Sequence, residues 1–201
     1  MDTAAPDLLL EDEARELLAP IQGRIAQAVT GGAAQAYRRY TQDHQLAADA
    51  TVRAMVLNQS IVSVAHDRLR GTIARPERIG NAWRWNVGER ALLRFKKAGV
   101  DGWPVNNYST RQSLQYVNAR VPQQQCFLPV PDMLTVLYSM DMLDEHVVSI
   151  EIVRMRGKRD CSWSIPVFAR TGIIPAARQE SIPDLPAATR VRFKKPKKEA
   201  F

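Results

Sequence analysis

The stretch WRWNVGERALLRFKK, residues 83–97, decides how this chain folds. Trp83, Trp85 and Val87 alternate with Arg84 and Asn86; after Gly88-Glu89-Arg90, residues Ala91, Leu93 and Phe95 alternate with Leu92, Arg94 and Lys96. Two short runs of period two around a glycine-containing turn predict a β-hairpin. A three-residue loop at 88–90 sets Val87 against Ala91, Trp85 against Leu93 and Trp83 against Phe95, so that one face is apolar throughout. A two-residue loop sets Trp83 against Arg94. A slip of one residue exchanges the faces, so burial selects the three-residue loop. On the polar face that register places Arg84 across from Arg94, with Lys96 next on the same side. Like charges opposed across a strand pair are unfavourable by some tenths of a kcal/mol or more, for instance ~0.2–1 kcal/mol. The arrangement therefore calls for something negative nearby.

Upstream the pattern is helical. Asp7 follows Pro6 and leads into an acidic turn, an arrangement that satisfies free N–H groups and opposes the helix dipole. Pro20 is expected to kink or restart this helix and Gly31-Gly32 to end it. A second helical region runs from about Ala33, with Val52, Met55, Val62, Ala65 and Leu69 as its apolar stripe, and stops at Gly71 and Pro76. Downstream, Gly99, Gly102 and Pro104 mark a loop. Ser109 or Thr110 can cap a helix from Arg111 to about Ala119 that crosses to the next strands. Three strands follow, Leu134 to Met140, Val147 to Met155 and Cys161 to Val167, the last two joined through Gly157-Lys158-Arg159-Asp160. They read as a three-stranded antiparallel meander. Prolines 175, 183, 186 and 196 punctuate a segment of little periodicity, which reads as a disordered basic arm.

The expected fold class is thus α+β: a helical N-terminal third, a β-hairpin, a crossing helix, a three-stranded antiparallel meander and a disordered C-terminal arm. Its expected units are an acidic helical segment (1–32), an α+β core (33–172) and a Pro-containing basic arm (173–201). At 201 residues, 45% apolar and 24% charged, the chain has ordinary globular composition and room for one real core. No apolar run approaches the roughly 20 residues that span a bilayer, and the acidic N-terminus lacks the basic n-region of a signal peptide. Cys126 and Cys161 lack metal-ligand spacing and read as small buried hydrophobes in a reducing compartment. The expectation is a cytoplasmic protein without membrane contact, cofactor or metal.

The formal net charge of +7 is unevenly placed. Arg190, Arg192, Lys194, Lys195, Lys197 and Lys198 crowd the last residues, and the N-terminal segment is acidic. The remaining excess lies in residues 78–120, where Arg78, Arg84, Arg90, Arg94, Lys96, Lys97, Arg111 and Arg120 outnumber Glu89 and Asp101. This predicts a positive surface within the fold. The candidate anion or nucleic-acid site combines Arg84, Arg94, Lys96 and Lys97 from the hairpin with Asn106, Asn107, Thr110, Arg111 and Gln112 around a helix start, whose free N–H groups seat anions. The competing reading pairs Arg94 and Lys96 with Asp101, Glu89 or the acidic N-terminal helix and makes the asparagines turn residues. Trp83 and Trp85 could stack on bases, but their spacing puts them on the apolar face of the hairpin.

Support for catalysis is thin. His66-Asp67 point about 100° apart on a helix and do not face each other. A restriction-type nuclease wants a carboxylate two residues before a lysine, and Arg94-Phe95-Lys96 lacks it. Asp141, Asp144 and Glu145 share a loop and read as a solvated turn. No catalytic residue is assigned.

The Trp-containing strand, then ALLRFKKAGVDG, NNYSTRQSLQYV and a strand ending WSIPV, resemble small bacterial proteins encoded beside regulators that join an Xre-type helix-turn-helix to an ImmA/IrrE-type domain. The likeness covers about residues 50 to 168. It implies the toxin component of a toxin–antitoxin or phage-defence module, neutralised by the partner regulator; it implies no catalytic residues. A non-enzymatic nucleic-acid-binding accessory and a metal-dependent nuclease are the alternatives.

Overall fold

The structure, a computed structural model, describes residues 8–43, 46, 48–105 and 131–169. Two long helices, α1 (Glu11–Gln42) and α2 (Ala50–Leu69), precede six strands: β1 (Ala74–Ile79), β2 (Ala82–Val87), β3 (Ala91–Lys97), β4 (Asp132–Met140), β5 (Val147–Gly157) and β6 (Asp160–Ala169). The strands form one sheet in sequence order. Every neighbouring pair is antiparallel except β3 and β4, which run parallel. The architecture is α+β, with both helices packed on one face of a mixed sheet.

The first correction concerns α1, which passes through Pro20 and Gly31-Gly32 without ending. Pro20 lies on the exposed side, so the hydrogen bond it removes leaves a carbonyl that water can serve. Gly32 is buried, and a Cβ there would stand 2.5 Å from the Ile61 Cα. The glycine is therefore a notch at which α2 crosses α1, rather than a helix stop. Residues expected to open a second helix at Ala33 belong to α1, which also runs across the expected unit boundary at residue 32. α2 begins instead after Asp49, whose carboxylate accepts from the Thr51 and Val52 amides and is held below the ordinary aspartate range by those bonds. Its buried stripe is Leu57, Ser60, Ile61, Ala65 and Leu69; Met55, expected inside, is exposed.

The second correction concerns the sheet. β1 is an additional strand, carrying Pro76 where an edge strand tolerates it. The hairpin of β2 and β3 has the pairs Val87 with Ala91 and Trp85 with Leu93. Its turn places Gly88 and Glu89 at φ of 57° and 61°, and the Asn86 side chain steadies it by accepting from the Glu89 amide at 3.0 Å. β4, β5 and β6 are antiparallel to one another, but they do not form a separate three-stranded meander. Parallel pairing of Leu93 with Leu134 and of Phe95 with Val136 joins them to the hairpin in one sheet. The expected crossing helix at 111–119 and the arm at 173–201 lie outside the described residues.

The helix-covered face holds the main core: Leu18, Ile21, Ile25 and Val29 of α1 meet Trp85, Leu93, Val136, Ile152 and Ile165 of the sheet. At its margin Asp132 binds Arg154 at 2.6 Å, and both side chains are almost fully buried. Asp132 also accepts from the Leu9 amide at 3.2 Å, and the Trp163 indole donates to the Leu9 carbonyl at 3.1 Å. This clamp ties the start of α1 to strands more than 120 residues away.

Candidate functional site

Alternation decides what the other face carries. Opposite the helices, the Arg94 side chain of β3 is level with Thr135 of β4, and Lys96 is level with Leu137. Thr135 is level with Val153 of β5 and Leu137 with Glu151; Val153 and Glu151 then meet Ser164 and Pro166 of β6. On the hairpin side, Arg84 follows in register beside Arg94 and is itself paired with Glu77 of β1. The result is a polar stripe across the sheet with a second, smaller apolar cluster beside it: Ala98, Trp103, Leu137, Val153 and Met155. Trp103 reaches this cluster from the loop after β3, where Asp101 accepts from the Trp103 amide at 3.2 Å.

The three cations on the stripe differ in setting. Arg94 is 2% exposed, and its Nε donates to the Thr135 hydroxyl at 3.0 Å. Arg84 is half-buried, and one of its guanidinium nitrogens donates to the Trp83 carbonyl at 2.8 Å. Lys96 is half-buried, and its ammonium pKa is pushed below the ordinary lysine range, first by burial and then by the charges of Arg94 and Arg84. That shift shows the three side chains share one electrostatic neighbourhood, as the hairpin register requires. Among the described residues, no carboxylate forms an ion pair with Lys96. Of the acids named as competing partners, Glu13 pairs with Arg90 at 3.2 Å, Glu11 with Arg15 at 2.6 Å and Asp101 with Arg159 at 3.0 Å.

Lys97 is separated from this group. Its place beside Tyr138 puts it on the helix side of the sheet, where it binds Asp144 at 2.5 Å. The alternation of β3 already contains that result, since Lys97 has the parity of Leu93 and Phe95. Asn106, Asn107, Thr110, Arg111 and Gln112 lie outside the described residues. The residues that reading the sequence missed on this face are Thr135, Glu151 and Ser164. Glu151 accepts a hydrogen bond from the Ser164 hydroxyl. Its signal was visible: one acid flanked by Ile150 and Ile152 in the predicted strand.

Other candidate groups have structural partners. Trp85 is fully buried, and Trp83, 38% exposed, meets the His66 ring edge-on at 4.4 Å. The imidazole also lies 5.5 Å from Trp85, so His66 packs between α2 and the hairpin while Asp67 points to solvent. In the turn between β4 and β5, ligand atoms of Asp141, Glu145 and His146 lie within 4.8 Å of one another. The chain's own donors serve the two acids: the Glu145 amide bonds Asp141 at 2.8 Å and the Tyr37 hydroxyl bonds Glu145 at 2.9 Å. Cys161 is half-buried against the smaller apolar cluster. Among the described residues no helix is long and apolar enough to cross a membrane.

Set against known proteins, the chain matches no family model, no curated protein and no solved structure.

Proposed function

We propose that the protein is an effector that holds an anionic group of its target against the sheet face opposite the helices. Arg84 and Lys96 are the contacting cations, and Arg94, too deeply buried to be touched by a large ligand, stands behind them as a fixed charge. One observation carries this reading: Lys96 is half-buried beside two guanidiniums of the same charge, with no described carboxylate in ion-pair contact. Concentrating like charge at a partly desolvated position is unfavourable unless a negative group completes it. A phosphate does so most effectively, because it accepts from both ammonium and guanidinium donors. The resemblance to proteins encoded beside Xre–ImmA/IrrE regulators supplies the setting. In that setting the chain is the toxin component, its phosphate-bearing target is a nucleic acid, and the regulator neutralises it by covering this face.

Two measurements test the reading. Binding of a labelled single-stranded oligonucleotide is followed across a salt series; two phosphate contacts give a log–log slope of about −1.4. Lys96→Ala is expected to weaken binding and reduce that slope by about 0.7. A response independent of salt overturns phosphate recognition. Expression of the chain alone in bacteria is expected to arrest growth, with relief by Lys96→Ala at equal protein level. Normal growth with abundant wild-type protein overturns the effector role.

A further inference from the structure

The turn between β4 and β5, DMLDEH at residues 141–146, gathers metal-ligating groups that the cationic face lacks. Its main chain closes on itself: the Asp141 amide donates to the His146 carbonyl at 2.9 Å, the Asp144 amide donates to the Asp141 carbonyl at 3.1 Å, and Asp144 takes a left-handed φ of 57°. That closure sets one ligand atom each of Asp141, Glu145 and His146 within 4.8 Å of the other two. Ligand atoms about 2.1 Å from one zinc ion stand roughly 3.4 Å apart in a tetrahedron, so a side-chain rotation at exposed His146 closes the set. Asp141 already accepts at Oδ1 from the Glu145 amide, and Glu145 at Oε1 from the Tyr37 hydroxyl. A carboxylate has two oxygens, so each acid can ligate through the other one. Carboxylates this close repel unless a cation joins them. Lys97 pairs with Asp144 at 2.5 Å, and among the described residues no lysine or arginine forms an ion pair with Asp141 or Glu145.

The second observation is a pocket of about 300 Å³ lined by Glu145 and His146 together with Thr30, Ala33 and Ala34 of α1. Thr30, Ala33, Ala34 and Tyr37 recur at the spacing of one helix face. The face that offers the Tyr37 hydroxyl to Glu145 therefore also opens the pocket, with two small side chains. We propose that Asp141, Glu145 and His146 bind one divalent ion of the zinc class, whose remaining coordination is completed by water from this pocket. The imidazole decides the class of metal: calcium and magnesium prefer oxygen ligands, whereas zinc accepts nitrogen and carboxylate oxygen together. Tyr37 is the positioning residue, since a hydrogen bond to a ligating carboxylate fixes its orientation. The bond to Glu145, and then that acid's charge, raise the Tyr37 pKa, which keeps the hydroxyl a donor. This inference stands apart from the anion-binding reading, because it uses neither Lys96 nor the arginines of the stripe.

The test titrates the full-length, chelator-treated protein with Zn²⁺ in a calorimeter at neutral pH. The expected result is saturable binding of one equivalent that a tenfold excess of Mg²⁺ does not displace. His146→Gln and Asp141→Asn are each expected to weaken it at least tenfold. His146 is exposed, so its replacement leaves the core intact, and circular dichroism reports that each variant is folded. The double variant Cys126→Ser with Cys161→Ser is expected to bind as wild type does, which separates this site from zinc held by thiolates. Tyr37→Phe is expected to weaken binding about tenfold and to shift the visible absorption bands of the Co²⁺-loaded protein, a readout of ligand geometry. Absence of saturable zinc binding overturns the proposal. Undiminished binding by folded His146→Gln overturns it too, because the ion then sits elsewhere. Displacement by Mg²⁺ overturns the imidazole-containing ligand set, and unchanged Co²⁺ bands in Tyr37→Phe overturn the positioning role.

Discussion

Two arginines, one on each face of the sheet, are almost equally buried and sit among different neighbours. Arg154, on the helix side, is 7% exposed and is matched by Asp132 at 2.6 Å and by the Ser162 hydroxyl at 3.0 Å. Arg94, on the other side, is 2% exposed, donates to the neutral Thr135 hydroxyl, and has Arg84 and Lys96 as charged neighbours. The first arrangement is self-contained: opposite charges cancel where water is excluded, and the pair fastens the start of α1. In the second, Lys96 has no carboxylate in ion-pair contact among the described residues. One face supplies cohesion; the other is the face on which the proposed anionic target would dock.

The largest expected effect comes from breaking the matched side. Asp132→Ala leaves Arg154 buried without its carboxylate and also removes the acceptor for the Leu9 amide. Breaking a buried pair from one side costs about 3–5 kcal/mol, a loss that chemical denaturation will measure. A smaller loss is expected from Gly32→Ala, which forces a methyl group toward the Ile61 backbone where α1 and α2 cross. Overpacking of this kind costs about 1–3 kcal/mol, again read from the denaturation midpoint.

The smallest effect sharpens the side that carries Lys96. Folding lowers the Lys96 pKa, so between the folded and unfolded values the unfolded chain binds more protons, and stability rises with pH. The penalty is complete below the folded value and disappears as pH approaches the unfolded value of about 10.4. Wild type is therefore expected to gain stability relative to Lys96→Met as pH rises from about 7 toward the unfolded value, in paired denaturation series. A constant difference would remove Lys96 from the strained cluster.

What the sequence made legible divides along similar lines. The hairpin register was readable because a slip of one residue turns Trp85 and Leu93 outward, and burial does not permit that. The opposition of Arg84 and Arg94 followed directly from the same register. Gly31-Gly32 misled because glycine has two uses, ending a helix or admitting another one closely, and only the tertiary partner Ile61 distinguishes them. β1 escaped notice because Arg75, Pro76, Glu77 and Arg78 show no alternation: an edge strand with two exposed sides needs none. The parallel pairing of β3 with β4 joins residues 41 positions apart, such as Ala91 and Asp132, for which no local pattern exists. The burial of Arg94 and the presence of Glu151 on its face depend on that pairing, so the extent of the candidate site was hidden even though its three cations were not.

The clamp on Leu9 has a consequence for synthesis of the chain. α1 leaves the ribosome before the strands, and Asp132 and Trp163, which hold its beginning, are made more than 120 residues later. At translation rates of about 5–20 residues per second, the leucine and isoleucine stripe of this helix waits several seconds for its final support. During that interval α2, seated at Gly32, is the earliest cover it can find. The first two helices thus have reason to pair as a nascent unit, seated against each other at the glycine notch before the sheet exists.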